Sequence, residues 1–240
     1  MSPRRAGRPV RAVAVVVPAR DEEAELPGCL AALDVARARL AARGVATTVV
    51  VTADRCRDRT TEIAQAFGAR VVESRAGAAG AARAAGFAAV LAEDRGDPED
   101  LWLVSTDADS RVPPNWLTRQ VSWAARGWDA VAGTVSVIDW SGHPPGSAAA
   151  FATRYDSWSG RSPHVHGANL GCSAGAYLEV GGFAPLAVGE DRALVEALEA
   201  AGRRVLRTAA LRVLTSSRLD YRAPAGFGHD LRRQADAIGG

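Results

Sequence analysis

The chain has 240 residues, of which 48% are hydrophobic, and it carries a formal net charge of +2 at pH 7. This length fits one large domain or two small ones, and the apolar content is ample for a packed core. All 29 basic side chains are arginine, because the sequence contains no lysine. This excludes phosphate-binding loops that end in Gly-Lys-Ser/Thr, Schiff-base lysines and kinase lysines, and the balanced charge gives no argument for nucleic-acid binding.

Apolar stretches such as Val13 to Val17 are far shorter than the roughly 20 residues that a membrane helix requires. The arginine-rich N-terminus is not followed by a signal-type apolar segment. We therefore expect a soluble, cytoplasmic protein in which residues 1–10 form a flexible tail. The alternative is that the N-terminal arginines contact an anionic membrane surface, which would place the protein peripherally at the membrane.

The spacing of apolar residues predicts alternating strands and helices. The predicted strands are Arg11 to Val17, ended by Pro18, then Thr47 to Val51, Arg70 to Glu73, Leu101 to Val104, Ala130 to Val137 and one through Val205. The predicted helices are Glu22 to Ala42, Thr61 to Phe67, Ala78 to Ala92, one beginning near Pro114, a short one ending at Gly181 to Phe183, and Glu190 to Ala201. This alternation indicates a single α/β domain over residues 1–240, with a mostly parallel central sheet and helices on both faces. Ligands in such folds bind beyond the carboxyl ends of the strands.

Residues 138–168 break the alternation with Gly, Pro, Ser, aromatic residues and three histidines. A long irregular segment inside a compact domain is typical of a functional lid, and we predict one here. His164 and His166 would share a face of a strand and could bind a metal ion. Because no further ligand cluster accompanies them, polar residues of a lid are the favoured interpretation.

Two carboxylates, Asp107 and Asp109, follow the predicted strand Leu101 to Val104. Acids at the end of a buried strand are unfavourable unless they are solvated, paired or bound to a cation. If the backbone bends between them, both can reach one crevice, where Mg²⁺ or Mn²⁺ would supply the counter-charge and bind substrate phosphates. The pattern alone is also common in surface turns, which is the alternative.

Three further acidic loops follow the same logic. They are Pro18 to Glu23 after the first strand, Thr52 to Thr60 after the second, and Gly189 to Leu194 at the start of a late helix. Each could separately be a helix cap or an Asp-rich turn. Four acidic loops at one end of a predicted sheet together indicate a site.

The order of these motifs resembles the inverting glycosyltransferases of family 2, which have the GT-A fold, over residues 13 to about 220. VVVPARDEE is similar to the first strand and loop of that family, with Asp21 where asparagine is usual, and VVVTADRCRDRT is similar to the second. GAAGAARAAGFAAV resembles the Gly-x-x-x-Ala-Arg segment, and STDADS resembles the Asp-x-Asp motif. GANLGCSAGAYLEVGGF and GEDRALVEALEAAGRRV resemble the acceptor-side segment and the Glu-Asp helix.

The resemblance implies an enzyme that moves a sugar from a UDP- or GDP-sugar to an acceptor hydroxyl with inversion at the anomeric carbon. It implies that the nucleotide-sugar is bound by Pro18, Ala19, Arg20, Glu22, Asp54, Arg83, Asp107 and Ala108. Within this set, Asp54 would hydrogen-bond the base, Arg83 would approach the diphosphate or sugar, and Asp107 would contact the ribose or the sugar. Asp109, with Asp107, would bind the divalent cation. Asp191 would be the general base, with Glu190 beside it in the catalytic pair.

One departure from the family concerns the third metal ligand. Many relatives have a histidine on a late strand, whereas this region reads RVLTSSRL and offers Thr215 or Ser216. Water or His229 could complete the coordination instead. Arg218 and Arg222 could compensate phosphate charge or simply be exposed arginines.

Two other functions remain as alternatives. The missing histidine is compatible with a catalytically silent protein that binds a sugar nucleotide. A sugar-phosphate nucleotidyltransferase is less favoured, because its usual basic, glycine-rich first loop and its lysine are absent. The acceptor could be a glycan, a lipid or a small molecule, and the predicted lid would lie on its side of the site.

Overall fold

A computed structural model of the chain describes residues 7, 9–156 and 165–218. Within these residues the strands are β1 Ala12–Ala19, β2 Ala46–Asp54, β3 Arg70–Ser74, β4 Leu101–Ser105, β5 Ser110–Arg111, β6 Ala130–Val137, β7 Leu170–Ser173 and β8 Val205–Thr215. The α-helices are α1 Leu26–Ala41, α2 Thr60–Ala66, α3 Ala79–Glu93, α4 Trp116–Ala124, α5 Ser147–Asp156, α6 Ala174–Glu179 and α7 Glu190–Ala200. Short 3₁₀ turns lie at Pro98–Asp100 and Gly167–Asn169.

The strands form one sheet in the order β3-β2-β1-β4-β7-β6-β8-β5. The pairs β1–β2, β1–β4, β2–β3 and β6–β8 are parallel. The antiparallel neighbours all involve β7, which lies between β4 and β6, or β5, which pairs with β8. The predicted α/β fold with a mostly parallel sheet is therefore confirmed, whereas β5 and β7 were not predicted.

The sheet is covered on both faces, and β1 shows how its sequence achieves this. Its side chains alternate between two apolar clusters, with Val13, Val15 and Val17 in one and Ala14 and Val16 in the other. The first cluster also contains apolar side chains of α1 and α4, and the second contains those of α3, α6 and α7. A strand buried on both faces must be apolar at every position, which explains the unbroken apolar run.

The boundaries near the first loop differ from those predicted. Pro18 does not end β1 but lies within it, opposite Thr52 of β2. The helix α1 begins at Leu26 rather than at Glu22. The four residues before α1 form a turn, in which the carbonyl of Glu22 accepts from the backbone N–H groups of Glu25 and Leu26. The backbone N–H of Glu22 itself donates to the hydroxyl of Thr60, 2.8 Å away.

The segment 138–168 is less irregular than predicted, because it contains α5. Before α5, the ring of Trp140 lies 5.4 Å from that of Phe151, and Nε2 of His143 is 2.7 Å from the carbonyl oxygen of Ser217. The second contact attaches the segment to the residues that follow β8. His164 lies outside the described residues, and the function of the segment as a lid stays a prediction.

Asn169 holds the second half of the sheet together. Its buried amide donates to the carbonyls of Thr134 on β6 and Leu211 on β8, at 2.8 and 2.9 Å, and accepts from the indole of Trp116 at 2.8 Å. The register of β6 on β8 shifts at Gly133, where a Cβ atom would lie 2.2 Å from the Asn169 amide nitrogen. Glycine is therefore required for this close approach.

No helix among the described residues is both long enough and apolar enough to cross a lipid bilayer.

We predict that Asn169→Ala lowers the free energy of unfolding by about 3 kcal/mol, because it leaves three buried polar groups without partners. Urea denaturation followed by circular dichroism measures the change. The control is Asn115→Ala, since Asn115 is exposed and makes no side-chain cap bond to α4. Equal stability of the two variants would contradict this role for Asn169.

Candidate active site

The acidic loops meet at one edge of the sheet. Because β1 pairs in parallel with both β2 and β4, the segments that follow these three strands leave the sheet side by side. These segments contain the predicted site residues from Arg20 to Glu22, from Asp54 to Thr60 and from Asp107 to Asp109. The first residue of α7, Glu190, is bonded to Arg83, so the Glu-Asp motif also lies at this edge. The structure therefore brings the four strongest sequence motifs together.

The first two loops are bonded to each other. Asp21 adopts a left-handed backbone conformation, with φ of 50°, and its carboxylate accepts from the backbone N–H of Arg57 at 2.7 Å. Asp58 accepts from the backbone N–H of Glu23 at 2.9 Å and from the hydroxyl of Thr60 at 2.5 Å. Burial alone would raise the pKa of Asp58, but these hydrogen bonds outweigh it and the pKa is lowered.

One group of three potential metal ligands exists within the described part of the chain, and it lies in these same loops. Ligand atoms of Asp21, Cys56 and Asp58 are all within 4.8 Å of one another. Both carboxylates, however, already accept hydrogen bonds from backbone N–H groups, and the thiol donates to the carbonyl of Ala19. We therefore interpret this group as the link between the two loops.

Asp54, at the end of β2, offers an unused acceptor. Its side chain is buried, and Oδ2 accepts from the backbone N–H of Gly77 at 2.8 Å. Oδ1 is buried and has no hydrogen-bond partner among the residues that the structure describes. Such an atom is costly unless a ligand bonds to it. Of its predicted neighbours on the adjacent β1, Ala19 is buried, Pro18 is half-buried and the following Arg20 is exposed.

Arg83 bridges the acid pair and the Glu-Asp helix. Its buried guanidinium donates to Oδ1 of Asp107 at 2.5 Å and to Oε1 of Glu190. Two glycines allow this packing, since a Cβ at Gly80 would lie 2.2 Å from Glu190 and one at Gly167 would lie 2.3 Å from Arg83. The approach of Arg83 to the diphosphate stays a prediction. Its two terminal nitrogens each bind a carboxylate.

Glu190 and Asp191 begin α7 in different environments. Burial raises the pKa of Glu190, against the opposing effect of Arg83, and Asp191 raises it further. Asp191 is partly exposed, and its Oδ2 accepts from the backbone N–H of Gly167 at 2.8 Å. The carbonyl of Gly167 in turn accepts from the buried hydroxyl of Ser105 at 2.5 Å. Sequence reasoning did not assign Gly167 or Ser105 to the site.

Asp109 lies among polar groups from the end of β8. Its Oδ1 is 3.4 Å from the hydroxyls of Ser110 and Thr215, and its Oδ2 is 3.2 Å from a terminal nitrogen of Arg218. Burial, followed by the charge of Asp107, raises the pKa of Asp109 to about 7, although Arg218 opposes this. Between Asp107 and Asp109, Ala108 is buried.

The residues present fit a divalent cation. Asp107 and Asp109 provide carboxylate oxygens, and the Thr215 hydroxyl lies beside Asp109, as the sequence suggested. Oxygen ligands of this kind are those that Mg²⁺ prefers. Burial first, and then the charge of Asp107, raises the pKa of Asp109 to about 7, and a bound cation would oppose both effects. His229 and Arg222, the other residues considered, lie outside the described residues.

The mostly parallel α/β sheet, with acidic loops gathered at the carboxyl ends of its strands, has the GT-A fold. The chain belongs to the family described as Glycosyl transferase family 2, whose sequence profile matches residues 14–179.

Known proteins agree with this assignment. Over 130 residues the chain is 35% identical to an undecaprenyl-phosphate 4-deoxy-4-formamido-L-arabinose transferase of Pseudomonas aeruginosa, which covers 51% of this chain. The chain spans only 35% of that relative's length.

Solved structures support the fold. The mannosyltransferase PcManGT from Pyrobaculum calidifontis, in complex with GDP-Man and Mn²⁺, superposes with a TM-score of 0.58 at 19% identity, over 92% of this chain and 60% of its own. Glucosyl-3-phosphoglycerate synthase from Mycobacterium tuberculosis, in complex with Mn²⁺, UDP and phosphoglyceric acid, gives a TM-score of 0.58 at 19% identity, over 95% of this chain and 76% of its own.

We predict that Glu190→Gln destabilises the fold by about 3 kcal/mol, because it removes one of the two charges that compensate the buried guanidinium of Arg83. The midpoint of urea unfolding provides the measurement. Glu199→Gln is the control, since Glu199 also pairs with an arginine, Arg207, but is largely exposed. If the two changes cost the same, the ion pair of Glu190 has no special structural weight.

Proposed function

We propose that the protein is a metal-dependent, inverting glycosyltransferase that moves a sugar from a nucleotide-diphospho-sugar to an acceptor hydroxyl. The observation that carries the proposal is the bridge of Arg83, which joins Asp107 of the acid pair to Glu190 beside Asp191. Through this bridge, a pair of acids suited to a cation and a partly exposed carboxylate suited to proton transfer are held in one rigid arrangement.

The donor occupies the edge formed by β1, β2 and β4. The buried Oδ1 of Asp54 accepts a hydrogen bond from the base, and Pro18, Ala19 and Arg20 line the nucleoside site beside it. Glu22 and Ala108 complete that part of the site. Asp107 and Asp109 hold Mg²⁺ or Mn²⁺, which when bound offsets negative charge on the departing nucleoside diphosphate.

Asp191 is the general base. Its place in the first turn of α7 and its hydrogen bond from Gly167 orient the carboxylate for proton transfer. It takes the proton of the acceptor hydroxyl while the oxygen attacks the anomeric carbon and the bond from that carbon to the diphosphate breaks. A single displacement of this kind inverts the anomeric configuration. Glu190 positions Asp191 rather than taking the proton, because it is buried against Arg83.

The donor is a UDP- or GDP-sugar, supported by the nucleotides in the two similar structures. For the acceptor we favour a lipid that carries a hydroxyl group, because the curated relative is named for the lipid undecaprenyl-phosphate. A glycan or a small molecule is the alternative. A cytoplasmic protein in peripheral contact with the membrane would meet such a lipid, and residues 138–168 would cover the acceptor side as a lid.

We predict that Asp191→Asn lowers turnover by about 10²–10⁴-fold, because asparagine keeps the shape but cannot take the proton. Nucleotide-sugar affinity should stay within a few-fold of wild type. Release of UDP or GDP from a panel of donors, with hydroxyl-bearing lipids, glycans and small molecules as acceptors, measures turnover.

The control is Glu196→Gln, which changes an exposed carboxylate on the same helix. Near-normal transfer by Asp191→Asn would refute the assignment, and a large loss in Glu190→Gln without loss of fold would move the base to Glu190. Binding of a donor with no turnover by the wild type would instead favour the silent binding protein.

We predict that Asp109→Asn abolishes the gain in nucleotide affinity that manganese provides, a loss of about tenfold or more, because the cation loses a carboxylate ligand. Isothermal titration with UDP and GDP, in manganese or in chelator, makes the measurement. Asp34→Asn, an exposed change on α1, is the control. Equal affinity of the wild type in manganese and in chelator would remove the metal from the proposal.

A further inference from the structure

Arg218, just beyond the end of β8, pairs with two acids of the site, Glu22 and Asp109. Its two terminal nitrogens donate to the two carboxylate oxygens of Glu22 at 2.7 and 2.6 Å. One of these nitrogens is also 3.2 Å from Oδ2 of Asp109. The Arg218 side chain is 25% exposed, whereas those of Glu22 and Asp109 are 7% and 17% exposed. A single guanidinium thus compensates two largely buried acids from different loops.

Hydrogen bonds between the end of β8 and the loop that carries Asp109 fix the position of Arg218. The hydroxyl of Thr215 is 3.0 Å from that of Ser110, and the backbone N–H of Ser216 donates to the carbonyl of Asp109 at 3.2 Å. The side chain of Ser216 then accepts from the backbone N–H of Arg218 at 3.2 Å. These contacts bind the end of β8 to the acid pair, so the position of Arg218 follows from the pairing of β5 with β8.

A divalent cation bound by Asp109 would meet this guanidinium directly. Carboxylate oxygens contact Mg²⁺ at about 2.1 Å, and Arg218 already lies within 3.2 Å of one Asp109 oxygen. Two cations this close repel each other, and the repulsion is strong where the acids are largely shielded from water. The neighbouring acid Asp107 is bonded through Oδ1 to a different arginine, Arg83.

We propose that Arg218 is an internal counter-cation that closes the donor site in the absence of ligand, and that a divalent cation binds Asp109 in competition with it. This rests on the proposed function, because Asp109 is the metal ligand there. Loading of the donor then requires Arg218 to leave Asp109, which releases the residues after β8 from the acid pair. In the free protein, Arg218 compensates the charges of Glu22 and Asp109 in the absence of a metal.

Manganese binding to the nucleotide-free protein tests the proposal, with the free ion measured by electron paramagnetic resonance. Arg218→Gln removes the charge, and we expect it to bind Mn²⁺ about tenfold more tightly than wild type at low salt. Arg207→Gln is the matched control. Arg207 lies on β8, the strand that precedes Arg218, and also donates twice to one carboxylate, that of Glu199, at 3.0 and 3.0 Å. Because this pair lies apart from Asp109, its loss should leave manganese affinity unchanged.

Arg218→Lys provides a second variant that remains decisive if the glutamine variant does not fold. Lysine keeps the charge but cannot form the paired bonds to Glu22, so an intermediate gain in affinity is expected. Unchanged or weaker manganese affinity in the Arg218 variants would overturn the proposal. If the wild type still bound UDP or GDP in a manganese-dependent manner, the proposed function would stand. Absence of manganese binding in every form, with and without nucleotide, would overturn both.

Discussion

The structure depends on one buried guanidinium, that of Arg83, held between Asp107 and Glu190. A charge in this position is unfavourable unless both of its partners are in place, and each partner belongs to a different part of the chain. The acid pair follows β4, the Glu-Asp pair begins α7, and Arg83 comes from α3, which packs on β1, β2 and β3. A single side chain therefore fixes the acids that follow β4 relative to those that begin α7.

Arginine suits these positions better than lysine would. Its planar group can donate to two carboxylates at once or to both oxygens of one carboxylate. Arg83 shows the first arrangement and Arg218 shows the second. A chain without lysine thus loses the usual catalytic and phosphate-binding uses of that residue, but it keeps fixed, permanent cations with which to balance a crowded set of acids.

The sequence predicted local features well and distant ones poorly. The unbroken apolar run of β1 predicted a buried strand of the sheet. The acids after β4 predicted the edge of the sheet at which the acidic loops meet. Both patterns have direct physical causes. The antiparallel β7 was missed, since its four residues carry no clear period and its pairing is set by β4 and β6. The bond from Gly167 to Asp191 and the pairing of Arg218 with Glu22 depend on tertiary contacts, to which no local pattern points.

The pairing of Arg218 with Glu22 joins residues 196 positions apart in the chain. During synthesis from the N-terminus, Glu22 and Asp109 emerge long before the arginine that compensates them. These two acids therefore gain their common counter-charge only when β8 and the residues that follow it are in place.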